Sequence, residues 1–360
     1  MAYGTLNADL MTTSDGVNSS GLYGFKNRII NGAMMIDQRN AGASVSNPNA
    51  YILDRWYVET SLSTTACQQV VDAPTGFYNS LKFTTSTGGS VVAGSYIDIS
   101  QPIEGFNVAD LGYGGGSASP VTISFWVKSS VTGTYSTCLR MPNAGTPVGS
   151  TQSFTINSAN TWEQKSITVT GNTTAALVAN NSAQLRLYIF LAAGSTYQTS
   201  SSNTWVSTNG GYNALNTQTN GMFTTTGATF YITGVQLEKG STATSFDYRP
   251  YGTELMLCQR YYEKIQTTAS VGGYYNNGYA YSATQSESIL RFAVWKRATP
   301  TCSSSGTFGF PTSVSSLSFD QPSLQSVLVY KTGMSLTSGT AFRLLDNNSG
   351  ASYMEISSEL

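Results

Sequence analysis

The sequence predicts an all-β protein: a β-sandwich, then a helix, then a smaller, mainly-β C-terminal domain. Apolar residues recur with a period of two along several short runs, and turn-rich gaps separate those runs. The composition is rich in Ser, Thr, Gly and Tyr and poor in charge, which suits strands better than helices. With 40% hydrophobic residues, 22 tyrosines and 15 phenylalanines, the chain has enough apolar surface to offset the entropy of folding, although only 10% of it is charged. A length of 360 residues suggests two domains, each large enough for its own core.

The strand signals follow one another from residue 27 onward. In VTISFWVK, Val121, Ile123, Phe125 and Val127 share one face, with Thr122, Ser124, Trp126 and Lys128 on the other. SITVT repeats the pattern with Ile167 and Val169. In AQLRLYIFL, Leu185, Leu187, Ile189 and Leu191 face one way and Arg186, Tyr188 and Phe190 the other. FYITGVQLE adds Phe230, Ile232, Val235 and Leu237, with Gly234 marking a bulge. Between them lie GYGGGSASP (112–120), MPNAGTP (141–147) and the tract 192–229. One helix is predicted after Pro250. TELMLCQRYYEKI places Leu255, Cys258, Tyr262 and Ile265 on one stripe, widened by Leu257 and Tyr261, with Thr253 as N-cap and Glu254 in the first turn. The remainder returns to strand-like runs. The predicted organisation is therefore an arm over 1–24, a sandwich over 25–250, and a helix plus β domain over 251–360.

Composition excludes several functions. The chain has no histidine, which removes Ser-His-Asp and Cys-His catalysis and imidazole-bound zinc. A formal net charge of -1 offers no basic footprint for nucleic acid. No apolar run approaches the length of a membrane span, and the first residues carry no secretory signal. Cys67, Cys138, Cys258 and Cys302 lack CxxC spacing and read as reduced, mostly buried thiols of a protein made in the cytosol. Asp37, Asp54, Asp98, Glu104 and Glu163 could supply a glycosidase pair, but no motif fixes their separation; Asp37–Arg39 and Asp54–Arg55 read equally as local contacts holding loops. GYGGG lacks the lysine and helix of a phosphate loop. No cofactor is expected; one calcium held by loop carbonyls and carboxylates is compatible with the chain, with no residue assigned to it.

Two tracts point to recognition. Residues 187–237 contain no charged side chain across fifty-one positions and interleave Tyr197, Trp205 and Tyr212 with Asn, Gln, Ser and Thr. Aromatic faces stack on sugar rings, and amides and hydroxyls match sugar hydroxyls without charge desolvation. The same tract reads alternatively as a long loop packed on the sandwich or on a neighbouring subunit. GGYYNNGYAYS (272–282) poses the same choice for Tyr274, Tyr275, Tyr279 and Tyr281, whose Tyr/Gly/Asn/Ser mixture is that of adaptable paratopes. The polar segment 1–24, with the apolar anchors Tyr3, Leu6 and Leu10, reads either as a floppy terminus or as an arm that orders by docking on a partner.

Several phrases, taken together, carry a resemblance. NRIINGAMMIDQRN (27–40) with YILDRWYVET (51–60) resembles the opening of the carbohydrate-binding-module-like β-sandwich domain of bacteriophage tail fibre proteins. FYITGVQLEKGSTATSFDYRPYGTELMLCQRYYEK (230–264) resembles the end of that domain and the helix after it. FAVWKRATPT (292–301) and YMEISSEL resemble the C-terminal portion of the same proteins, and MAYGTLN their attachment segments. The resemblance implies a jelly-roll sandwich in a virion structural protein made in the host cytoplasm, usually a homotrimer. It supplies no catalytic set and no receptor: Asp54, Arg55, Trp56, Gln236, Leu237, Glu238, Phe246 and Arg249 match as architecture. The expected function is a non-enzymatic tail fibre subunit, docked on other virion proteins through its arm and bound to host surface glycans, without nucleic acid or membrane insertion. A structural connector or head-decoration protein is the alternative, and a polysaccharide depolymerase a third reading.

Overall fold

The computed structural model describes residues 25–208, 213–267, 273–347 and 351–360, and the chain divides into two compact units between Glu254 and Leu255. The first is a jelly-roll-like sandwich of two sheets whose strand pairs are antiparallel. The six-stranded sheet has the order Val45–Ser46, Thr65–Val70, Ser80–Thr85, Thr229–Lys239, Val121–Ser129, Glu163–Val169. The seven-stranded sheet runs Trp205–Ser207, Val148–Ile156, Gly133–Met141, Ala183–Ala193, Tyr96–Glu104, Trp56–Thr60, Ala50–Leu53. The period of two does its work here. Val121, Ile123, Phe125, Val127, Phe230, Ile232, Val235 and Leu237 are fully buried and meet Leu185, Leu187, Ile189 and Leu191 of the facing sheet. Each such side chain contributes about 1.5–3 kcal/mol on leaving water. Gly234 makes the expected bulge: the register slips between Thr233 and Gln236, its φ is 62°, and a Cβ there would lie 2.6 Å from the Phe77 ring.

The strand Ala183–Ala193 departs from simple alternation. Tyr188 and Phe190 do point away from the core, yet they are 2% and 0% exposed and stack at 5.6 Å with an interplanar angle of 6°. They are covered by residues from 194–208 and 213–220, which bring Ala214 and Tyr197 onto this face. Polar groups tie the cover down: Gln218 Nε2 donates to Phe190 O at 2.9 Å, the Leu215 amide to Ser136 Oγ at 3.0 Å, and Thr151 Oγ1 to Asn213 O at 3.2 Å. This part of the uncharged tract is therefore a loop packed on the sandwich.

In the second unit, a seven-stranded sheet has the order Ser313–Val314, Phe308–Gly309, Ala341–Asp346, Tyr274–Ala280, Gln285–Arg291, Ser326–Thr332, Ser318–Asp320. A three-stranded sheet holds Tyr262–Gln266, Tyr353–Ser357 and Thr301–Ser305. The helix is shorter than its stripe suggests. It spans Tyr251–Gln259 and buries only Cys258, and Thr253 lies within its first turn rather than capping it. Tyr262 and Ile265 belong to a strand instead, because YYEKI finds a ladder with YMEIS, in which Glu263 opposes Ile356 and Ile265 opposes Met354. A short aromatic run satisfies either period, and the long-range ladder decides it. The four cysteines are unpaired, and Cys302 alone is not fully buried.

A buried ion pair secures this unit. Lys296 Nζ, with its side chain 0% exposed, donates to Glu263 Oε2 at 2.5 Å and to Gln259 O at 2.6 Å, while the Ala293 amide donates to the same carboxylate. Burial pulls the Lys296 ammonium below its ordinary value, and Glu263 works against that fall. Lys296→Met should lower stability by about 3–5 kcal/mol, because it strands the Glu263 carboxylate. Adding Glu263→Leu should recover most of that loss. Urea midpoints of the two variants check both expectations.

Candidate functional site

The outer face of the first unit's seven-stranded sheet is covered at one end by residues from 194–208 and 213–220 and carries an aromatic–arginine ladder beside that cover. Cross-strand register makes the ladder: Tyr51 opposes Tyr57, Tyr57 opposes Ser100, Ser100 opposes Tyr188, and Arg186 opposes Arg140. The Tyr51 and Tyr57 rings meet edge to face at 5.2 Å. Arg39 lies over Tyr51 at 5.2 Å, and Arg186 lies over Tyr57 at 5.4 Å and over Tyr188 at 5.0 Å. Hydrogen bonds hold the parts in place, Tyr57 Oη donating to Asn49 O at 3.1 Å and Arg186 Nη2 to Ser100 Oγ at 2.9 Å. Tyr51, Tyr57, Arg39, Arg140 and Arg186 are all half-buried, so each ring and guanidinium keeps an edge in water. Sequence reasoning missed these residues; the only available signal was their outward place in alternating strands.

One row away, Glu59 directly opposes Asp98. Both Oδ atoms of Asp98 are buried without a hydrogen-bond partner of good geometry. Burial pushes the Asp98 carboxyl up to about 8; the Arg186 guanidinium and the nearby Ser100 hydroxyl oppose the shift, and Glu59 adds to it. Tyr96, whose hydroxyl donates to Glu59 at 3.4 Å, is raised to about 12 by burial and by that carboxylate.

The other carboxylates considered from the sequence hold structure. Asp37 accepts the Asn40 and Gly42 amides, and Asp54 accepts the Gln38 amide and side chain at 2.8 and 2.6 Å. Glu163 accepts from Lys165 at 2.6 Å and from the Asn157 and Ser158 amides, which hold it below the usual carboxylate range against the effect of burial. Glu104 is buried. Among the described residues, no group of three or more cysteine and carboxylate side chains gathers to hold a metal ion, and no helix is long and apolar enough to cross a membrane.

The expected recognition tyrosines are distributed unevenly. Tyr3, Leu6, Leu10 and Tyr212 lie outside the described residues. Tyr197 is half-buried, edge-on to Tyr96 at 5.5 Å. Trp205 packs edge-on to Tyr113 at 5.8 Å and donates Nε1–H to Thr170 O at 2.8 Å, within a strand paired to Val148–Ile156. In the second unit, Tyr275 packs on Phe308 at 5.7 Å, and its hydroxyl bonds Ser352 O. Tyr274, Tyr279 and Tyr281 are exposed, at 60%, 46% and 60%. Two of them are held: Arg343 lies over the Tyr274 ring at 4.9 Å, and Tyr279 Oη donates at 3.1 Å to a Glu287 carboxylate that Gln285 also engages. A hollow of about 280 Å³ lies beside them, lined by Tyr275, Asn276, Ile289, Leu290 and Arg291.

No protein-family model matches this chain, and no curated protein sequence matches it. Among solved structures, it is similar to the enzymatically active domain of tailspike protein 4 from bacteriophage CBA120, at 14% identity and a TM-score of 0.32, over 59% of this chain and 21% of that one. It is also similar to the CBM22-2 xylan-binding domain of Xyn10C from Paenibacillus barcinonensis, at 15% identity and a TM-score of 0.30, over 55% and 98% of the two chains. A family 11 carbohydrate-binding module from Clostridium thermocellum, in complex with a β-1,3-1,4-mixed-linked tetrasaccharide, matches at 9% identity and a TM-score of 0.28, over 56% and 97%.

Asp98 sets a pH dependence with a definite sign. Unfolded, the carboxyl titrates near 3.8, and folded, near 8, so between those values the native state holds one proton more than the unfolded chain. Stability from this group therefore falls as pH rises through that window. Asp98→Asn, which copies the neutral form, should flatten the fall and melt above wild type at pH 9. Thermal melts of both proteins at pH 5 and pH 9 measure the difference.

Proposed function

We propose that this chain is a non-catalytic, glycan-binding subunit of a bacteriophage tail fibre or a similar virion projection. The observation that carries the glycan reading is a set of tyrosine rings fixed in place with an edge or face left in water: Tyr51 and Tyr57 beside arginines in the sandwich, and Tyr274 and Tyr279 in the second unit. Fixed rings lose little entropy when a sugar stacks on them. The virion role, the homotrimer and docking through residues 1–24 are supported by the sequence resemblance. In such an assembly, several copies acting together raise effective concentration, so weak single sites suffice for attachment to host surface glycans. The non-catalytic reading is supported by the commitment of Asp37, Asp54 and Glu163 to loop hydrogen bonds and by the burial of Asp98 and Glu104.

Binding of the full chain to host cells and to a glycan array tests the reading. Tyr57→Ala and Tyr274→Ala should each weaken binding more than about five-fold, the scale of losing ~1 kcal/mol at a contact. Undiminished binding in both variants would move the site away from these rings, and absence of binding to host cells and to the array would point to a structural connector. A time-dependent release of reducing ends from host polysaccharide would point to a depolymerase.

Deleting residues 1–24 should leave a folded protein that is absent from purified particles. Immunoblots of particles produced with the truncated chain report this directly, and normal incorporation would sink the docking role.

A further inference from the structure

We propose that a cavity in the sandwich unit binds the acetamido group of an N-acetylated amino sugar: Arg249 Nε–H takes its carbonyl, the Asp247 carboxylate takes its N–H, and the rings of Phe77, Phe246 and Tyr248 take its methyl. None of these residues is among those on which the glycan reading rests, so the site goes beyond that reading.

The cavity holds about 430 Å³, within the range of small-molecule sites, and all its walls come from the first unit. Three of its rings form an aromatic corner. Phe77 meets Phe246 edge to face at 5.0 Å, Phe246 meets Tyr248 edge to face at 4.9 Å, and Phe77 lies 5.6 Å from Tyr248. Tyr248 Oη donates to Gly76 O at 2.9 Å, which pins that ring, yet the residue stays 60% exposed. Two polar groups of the same wall have capacity that the fold does not use. Arg249, its side chain 5% exposed, spends its Nη atoms on Ile29 O, Asn27 O and both Glu254 oxygens, while its buried Nε–H has no acceptor. A buried donor left unpaired is costly, and a ligand acceptor removes that cost. Asp247 accepts the Asn27 amide through one oxygen at 3.1 Å; its other oxygen has no hydrogen-bond partner among the described residues. Gln236 Oε1 accepts the Asp247 amide at 2.8 Å and so fixes the backbone between these groups.

The ligand chemistry follows from the groups present. The wall offers one charged donor, one charged acceptor and an apolar aromatic corner, with Phe246, Asp247, Tyr248 and Arg249 consecutive in the chain. An acetamido group answers all three: its carbonyl accepts, its N–H donates, and its methyl is apolar. A free ammonium would satisfy Asp247 alone and leave the Arg249 Nε–H and the rings unmatched. A hydroxyl can serve either polar group but brings no apolar tip to the corner.

Three matched trisaccharides test this on the full chain by calorimetry: tri-N-acetylchitotriose, its fully deacetylated amine form, and cellotriose, which differ in the group on carbon 2. The acetylated trimer should bind about ten-fold or more tighter than the other two. In saturation-transfer NMR, its acetyl methyl should receive the strongest transfer from the protein. Asp247→Asn keeps an acceptor for the Asn27 amide and removes the charge; it should weaken the acetylated trimer about five-fold. Ala33→Leu, which places a larger side chain in the cavity wall, should abolish binding, and the melting temperatures of both variants guard against misfolding. Equal affinity for the three trimers, no affinity for any, or wild-type affinity in both variants overturns the proposal. A smaller particle mass for Ala33→Leu in mass photometry, with no trimer bound by wild type, makes the cavity a contact between copies of this chain and also overturns it. Each of these failures leaves the glycan reading standing, because the Tyr57 and Tyr274 variants are scored separately on host cells.

Discussion

The burial of the strand Ala183–Ala193 on both its faces is the constraint from which the sandwich and its site follow. Its inward residues Leu185, Leu187, Ile189 and Leu191 close the core. Its outward pair Tyr188 and Phe190 would leave two large rings in water, so residues from 194–208 and 213–220 are drawn across them. The cover is uncharged, which lets it lie on apolar rings without stranding charges. Arg186, on the same outward face, is left half-buried and stacked between Tyr57 and Tyr188. The ladder therefore owes its position to how much of the strand the cover hides.

The phrases that carry the family resemblance prove to be joints. Asn31 is fully buried in a left-handed conformation, φ 58°, which suits asparagine better than most residues. Its side chain donates to Ile36 O and Asp54 O and accepts the Ile36 amide, its carbonyl takes Trp56 Nε1–H at 2.9 Å, and its amide donates to Glu254. Arg249 joins the same knot through Glu254, Asn27 and Ile29. In the second unit, Arg297 clamps the carbonyls of Ser358 and Glu359, while Lys296 beside it reaches Glu263. These residues hold the chain segments together, and a hollow of about 430 Å³ lies among them, lined by Asn27, Asn31, Phe246, Tyr248, Arg249 and Glu254.

With few charges on the chain, those present are used in confined ways. Lys296 and Glu263 neutralise each other in the interior, Lys128 and Asp72 pair at 2.5 Å beside Trp162, and Arg343 rests on Tyr274. Tyrosines divide likewise: Tyr135, Tyr261 and Tyr262 are core residues, while Tyr57, Tyr274 and Tyr279 are surface rings held by a hydrogen bond or a cation.

By itself, the sequence determined the fold class, the inward faces of the strands, the bulge at Gly234 and the presence of a helix after Pro250, because each is written in local periodicity or a local backbone requirement. It also marked Tyr274 and Tyr279 as tyrosines of an alternating, polar strand. Only the tertiary structure decided that YYEKI would leave the helix for a ladder with YMEIS, that residues from 194–208 and 213–220 would roof Tyr188 and Phe190, and that Arg140 would face Arg186 beside Tyr57. Those outcomes depend on register between strands far apart in the chain, and register is set by the sum of core packing across a sheet, which no local pattern records.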